Sequence, residues 1–334
     1  MKIAIIEASH WHVPLYLDEL ESDPSVGVVA VSDETATRGP GIATRFGATH
    51  YGDWRNLVDT ETLDFAFVFG RHDQMYDIAV TLIGKGIPFA IEKPAGLSGV
   101  QVAALAELAS RKNIFVAVPL IFGFSTLIQK LSSVAKSAEW QHMSFRFIAG
   151  PISRYLDAHC DWMLDRSKAG GGCMTNLAVH CIDVFQRLTG SPVQSVSARM
   201  IRDHSLSDVE IYSVMTMHTE NGQLCTIETG YTYPGGTQEQ REFSFSLGSS
   251  SGYVQSTIDG LRIVSHASGK ADEIKLDLNT DIYYADFVRR CLQDVQGQRS
   301  PASGLPELTE IMRIIDVAYD SDRTGGEAKE IARP

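Results

Sequence analysis

What the 334-residue sequence has little of narrows its class before any motif is read. Cysteine is sparse. Cys160, Cys173, Cys181, Cys225 and Cys291 form no CxxC pair, which argues against a disulfide framework and suits free thiols in a reducing cytoplasm. No apolar run reaches membrane-spanning length, and the MKIAIIEASH start lacks a charged-then-apolar signal pattern, so a cytoplasmic location is expected. Basic residues are also short: 29 Lys and Arg against 41 Asp and Glu leave a net charge of −12. A surface that acidic repels phosphate backbones and anionic lipid, which sets nucleic acid and membranes aside and points to a small-molecule partner. What is present, 44% hydrophobic and 21% charged residues, is ordinary for a folded soluble chain, and the length suits two domains.

The first 120 residues alternate short apolar runs with amphipathic stretches. Strands are predicted at Ile3–Ile6, Val26–Ser32, Asp64–Phe69, Ile87–Ile91 and Ile114–Val118, with helices near Pro14–Glu21, Gly41–Phe46, Trp54–Val58, Met75–Lys85 and Gly99–Lys112. The runs are near-continuously apolar, as in strands buried on both faces, which predicts an α/β doubly wound parallel sheet. Beyond a boundary near Pro119–Phe124 the pattern changes. Strand-like segments at Gln141–Ala149, Val193–Ile201, Val209–His218, Leu224–Thr232, Arg241–Leu247, Gly252–Thr257 and Leu261–Ser265 follow one another with few helices, which predicts an α+β domain with a largely antiparallel open sheet. Helices return at Phe124–Lys136, Asn176–Leu188, Ile282–Gln296 and Leu308–Asp322. The expected domains are therefore 1–120 and 121–334, with the C-terminal helix free to pack back on the first.

Such a sheet binds ligands beyond its strands' carboxyl ends, and its first turn decides for or against a dinucleotide. Here that turn reads Glu7-Ala8-Ser9-His10-Trp11-His12, with Glu7, Ser9 and His12 at the places of the three fingerprint glycines. The second strand argues the other way, since it ends in Asp33, placed either to accept from the ribose hydroxyls of NAD or to cap a turn. Ser9, His10 and Trp11 line the turn, and Gly70, Arg71 and His72 follow the third strand, where Arg71 can offer charge to a diphosphate near Glu7. His10 and His12 have no third ligand close in sequence, so no metal site is expected.

Two patterns are more specific. Glu92-Lys93-Pro94 closes the strand Ile87–Ile91, and Gly170-Gly171-Gly172-Cys173-Met174-Thr175-Asn176-Leu177-Ala178-Val179-His180 opens a helix, with Trp162 just upstream. In this order they resemble the glucose–fructose oxidoreductase/inositol dehydrogenase (Gfo/Idh/MocA) family over nearly the whole chain. The resemblance implies a Rossmann domain 1–120 and a substrate and oligomerisation domain 121–334, assembled as a homodimer or homotetramer. It also implies NAD(P)-dependent hydride transfer at a hydroxyl or keto carbon of a sugar, polyol or sugar acid. Position by position, Lys93 and His180 match the family's lysine and histidine, Asn176 stands where most members have aspartate, and Ala178 replaces a glycine.

The residue types suit that chemistry. His180 is a base of near-neutral pKa for the hydroxyl proton, and Lys93 can steady the developing alkoxide. Asn176, four residues before His180, is expected on the same helical face, and Gly170–Gly172 to admit cofactor or substrate close to the backbone. Glu92 joins Lys93 at the cofactor, and Tyr155, Asp157, His159 and Trp162 are expected around the substrate. Asp33 favours NAD over NADP. Two alternatives stay open: an NAD-assisted lyase or glycosidase, and a catalytically silent sugar- or dinucleotide-sensing regulator.

Overall fold

The computed structural model describes residues 1–236 and 240–332, with the backbone alone at Phe124. Two compact units emerge, Met1–Leu120 with Tyr155–Gly170 and Asp281–Glu310, and Ile121–Arg154 with Gly171–Thr280 and Ile311–Pro334. This interleaving differs from a single cut after residue 120, because two later segments group with the N-terminal unit.

In the first unit, β1 (Lys2–Ile6), β2 (Gly27–Ser32), β3 (Thr49–Tyr51), β4 (Phe65–Val68), β5 (Phe89–Ile91) and β6 (Val116–Ala117) pair in the order β3-β2-β1-β4-β5-β6. Every pairing is parallel, and β4 and β5 are buried along their whole length, as their unbroken apolar runs require. Between the strands run α1 (Pro14–Ser22), α2 (Gly39–Phe46), α3 (Trp54–Thr60), α4 (His72–Lys85) and α5 (Gly99–Lys112). Their ends follow local chemistry. The Ser98 side chain caps Gln101 N–H at the start of α5, and Gly86 and Asn113 close α4 and α5 in the left-handed conformation. The strand order reverses between β1 and β4, and this switch point is where such sheets take ligands. The three-residue β3 escapes the sequence pattern because it is too short to show a period.

The second unit holds a nine-stranded sheet in the order β14-β13-β12-β11-β7-β10-β9-β8-β15. Its strands are β7 (Trp140–Ala149), β8 (Val193–Arg202), β9 (Glu210–Thr219), β10 (Leu224–Gly230), β11 (Arg241–Ser249), β12 (Gly252–Thr257), β13 (Gly260–Ser265), β14 (Ala271–Lys275) and β15 (Lys329–Glu330). The sheet is mixed, because β10 lies parallel to β7 while the other pairings are antiparallel. Phe145 opposite Phe245 and Phe147 opposite Phe243 join β7 to β11 through aromatic pairs. The stretch expected to be one helix at 176–188 is two: a π turn over Met174–Ala178 and an α-helix over Val179–Thr189. No described helix is long and apolar enough to cross a membrane.

Candidate functional site

At the carboxyl edge of the first unit's sheet, the turn after β1 keeps the backbone shape of a glycine turn while holding other residues. Glu7 sits at φ 59°, and its side chain folds inward. Oε1 accepts from the Ser32 hydroxyl at 3.0 Å and Oε2 from Glu34 N–H at 3.2 Å. Burial outweighs these bonds and pushes the Glu7 carboxyl up to about 7. The rest of the turn is ring against ring. His10 stacks on Trp11 at 3.9 Å, and Trp162 lies 5.9 Å from each of them and 4.9 Å from His72. Tyr155 meets Trp11 edge-on at 5.3 Å, and Cys160 Sγ donates to Ser9 O. Desolvation holds His10 well below its usual pKa and pushes His72 down to about 3, so both rings are neutral.

Glu92 and Lys93 end β5 in the same place, only 1% and 2% exposed. Glu92 Oε1 accepts from Tyr16 Oη at 2.7 Å and lies 3.2 Å from His12 Nδ1, which is itself 3.1 Å from Tyr284 Oη. The Lys93 ammonium is near enough to His10 and His72 to disfavour their protonation further. Ser9, His10, Trp11, Gly70, His72, Glu92, Lys93, Tyr155 and Trp162 thus belong to one edge of one unit. His12, Tyr16 and Tyr284 join them without any sequence signal that named them as partners of Glu92.

The other candidates have partners of their own. Asp33 Oδ1 accepts from Thr35 N–H and Oγ1, and Oδ2 from Arg38 and Gly39 N–H at 2.9 and 2.8 Å. Fully buried, it holds the start of α2. Arg71 is ion-paired with Glu34 and Asp73. Asp157 and His159 are exposed and stand outside the ring cluster.

In the second unit, Asn176 and His180 are buried, with Asn176 in the π turn and His180 on the helix that continues it. The Phe122 ring meets His180 edge-on at 6.1 Å. The glycines before them serve packing. A Cβ at Gly171 would lie 1.9 Å from Tyr319 Oη, and one at Gly172 would lie 2.2 Å from Glu210 O. Gly170 adopts φ +77° against Leu97 in the first unit. The expectation that this run admits cofactor or substrate gives way to close approach by the protein's own chain at each of the three. Glu210 and Tyr319, which make that approach, were not singled out from the sequence, where a strand-end glutamate and a helical tyrosine look ordinary.

Two family profiles match this chain, "Oxidoreductase family, NAD-binding Rossmann fold" over residues 3–119 and "GFO/IDH/MocA C-terminal domain" over residues 142–251. The chain belongs to the Gfo/Idh/MocA oxidoreductase family. A curated relative, the levoglucosan dehydrogenase of Pseudarthrobacter phenanthrenivorans, is 24% identical over 169 residues, 49% of this chain and 43% of its own. The match thus spans less than half the length of that relative. Among solved structures, levoglucosan dehydrogenase in complex with NADH and levoglucosan superposes with a TM-score of 0.86 at 14% identity over 100% of both chains. GenD2 from gentamicin A biosynthesis, in complex with NAD, gives 0.84 at 19% identity over 100% of this chain and 97% of its own. An oxidoreductase from Agrobacterium radiobacter, in complex with NAD+, L-tartaric acid and magnesium, gives 0.86 at 16% identity, covering 99% and 98%. These three share the fold of this Gfo/Idh/MocA member.

The family's cofactor asks the first turn for donors. Part of the backbone spends its own: His12 N–H goes to His10 Nδ1, Val13 N–H to His10 O and Leu15 N–H to His12 O, and Pro14 has none. Side chains supply others. With Nδ1 accepting, neutral His10 carries its hydrogen on Nε2, and both this atom and Trp162 Nε1 are buried without a hydrogen-bond partner among the described residues. His72 donates through Nδ1 to Ala169 O, which leaves Nε2 a buried acceptor in the same state. Buried polar atoms left open in adjacent rings call for a polar ligand or ordered water. The residues therefore fit an NAD met in part by ring donors.

Proposed function

We propose that this family member is an NAD-dependent dehydrogenase or reductase acting on a CH–OH group of a sugar, polyol or sugar acid. The observation that carries the reading is Lys93, a lysine only 2% exposed at the ligand-taking edge of a parallel sheet, among the neutral rings of His10 and His72. Burying an ammonium is costly, and an active site is where that cost is offset by function. A bound NAD would supply the hydride-accepting group. His180 is assigned the hydroxyl proton, Lys93 the stabilisation of developing negative charge, and Asn176 the orientation of substrate hydroxyls. His10, His72, Trp162 and Glu92 hold the cofactor, and Tyr155 and Trp162 wall the substrate. A homodimer or homotetramer is the assembly this reading assigns, and five buried free thiols suit a reducing cytoplasm.

NADH titration by calorimetry, followed by NAD+ reduction with levoglucosan and myo-inositol as probes, tests the proposal. Binding and turnover are expected, with turnover cut about a hundredfold or more in Lys93→Ala and in His180→Ala while NADH still binds. Undiminished turnover in both variants sinks it. The self-bonded turn after β1 favours one other reading, a dinucleotide- or sugar-sensing protein without turnover, and NADH binding without any reduction would select it.

A further inference from the structure

We propose, on the reading of His180 as the proton-transfer group, that Glu210 and Tyr319 are positioning residues whose clamp on residues 171–175 sets the direction of the His180 ring. Three donors converge on one oxygen. Gly172 N–H and Met174 N–H both reach Glu210 Oε1 at 2.9 Å, and Tyr319 Oη donates to the same atom at 2.8 Å. The Tyr319 hydroxyl is also 3.0 Å from Thr175 Oγ1. Gly171 and Gly172 have room for no side chain against this pair, so the glycines and the clamp require each other.

The clamp sits immediately before an unusual turn. Met174–Ala178 is π-helical, and such turns are uncommon and concentrated at functional sites. The extra residue of a π turn rotates everything beyond it by about 100° relative to an unbroken α-helix. His180 lies on the next turn, so the choice between π and α geometry decides where its imidazole points. Two backbone N–H groups tied to a fixed carboxylate on β9, and a threonine tied to Tyr319, hold the first turn open against relaxation to α. Glu210 is 1% exposed, and its loss would also orphan the Gly172 and Met174 N–H groups, so the readouts that separate positioning from packing are those of the His180 ring.

The test uses 15N-histidine-labelled protein, with the His180 ring signals assigned by His180→Gln, in wild type, Glu210→Gln, Glu210→Leu and Tyr319→Phe. Glu210→Gln keeps an oxygen for two of the three donors and is expected to move the His180 signals less than Glu210→Leu does. Tyr319→Phe and Glu210→Leu are expected to shift them and move the ring's apparent pKa by about half a unit or more. With levoglucosan or myo-inositol as probe, kcat is expected to fall about tenfold or more in Tyr319→Phe with little change in KM. Wild-type His180 signals and titration in folded Tyr319→Phe would overturn the clamp. Should Glu210→Leu not fold, Tyr319→Phe and Glu210→Gln still decide. Undiminished turnover in His180→Ala would remove the reading of His180 as catalyst and leave the ring-orientation result standing, so the two failures are distinguishable.

Discussion

Ser32 and Glu7 bond to each other twice: the Ser32 hydroxyl accepts from Glu7 N–H at 2.9 Å and lies 3.0 Å from Glu7 Oε1. The pair closes the first turn of a Rossmann sheet without glycine, and it does so by burying a carboxyl group. Its pKa rises from 4.5 to about 7, mainly through desolvation. A raised folded pKa favours the native state below the unfolded value and withdraws that support as pH climbs through the folded one. Stability is therefore expected to fall between pH 4.5 and 7 by up to about 3 kcal/mol from this group alone. Glu7→Gln should flatten that slope in urea titrations across the range. An unchanged slope would mean that Glu7 ionises freely.

Asp33 gives the second prediction. Its four accepted bonds hold Thr35, Arg38 and Gly39, and a Cβ at Gly39 would sit 2.5 Å from its own Cβ. Asp33→Ala is expected to cost about 2–3 kcal/mol of stability by orphaning buried N–H groups. The ratio of NADH to NADPH affinity should stay where it is. A specific loss of NADH affinity in a protein of wild-type stability would restore Asp33 to the ribose.

Gly172 separates packing from ligand approach. Its would-be Cβ meets backbone oxygen of Glu210 at 2.2 Å, which no rotamer change relieves. Gly172→Ala should therefore destabilise the second unit by about 3 kcal/mol, at the upper end of overpacking costs. NADH affinity of the folded fraction should be unaffected. Wild-type melting with weakened NADH binding would return the glycine run to the cofactor.

Much of the architecture was legible because parallel strands buried on both faces leave unbroken apolar runs, as Phe65–Val68 does, and because Ser98, Gly86 and Asn113 mark helix ends locally. The family followed from Glu92-Lys93-Pro94 and the glycine run through His180. Partners set by tertiary packing were not legible. Nothing near Asp33 in sequence distinguishes a ribose ligand from a cap, since both need an aspartate after β2, and only the register of α2 brings Arg38 and Gly39 N–H onto it. The clamp joins residues 38 and 109 positions apart, beyond any local pattern. The parallel β7–β10 pair is equally non-local, and the π turn hides because its sequence has ordinary helical composition.

The neutral histidines beside Lys93 carry the last prediction. His10 should hold its hydrogen on Nε2, since Nδ1 accepts from His12 N–H, and His72 on Nδ1, since that atom donates to Ala169 O. Burial is the first cause of both depressed pKa values, ahead of the Lys93 charge, so Lys93→Met should leave both rings neutral at pH 7. With folded values depressed, the two histidines support the native state above about pH 6.5 and withdraw support as pH falls. His72, pushed down to about 3, should cost about 2 kcal/mol between pH 6.5 and 5. Nitrogen-15 spectra of labelled protein would show opposite tautomers, with no titration of His72 above pH 5. A His72 signal titrating near 6.5 in the folded protein would mean that water reaches the ring cluster. An acid limb of turnover near pH 7 that Glu7→Gln removes then belongs to Glu7.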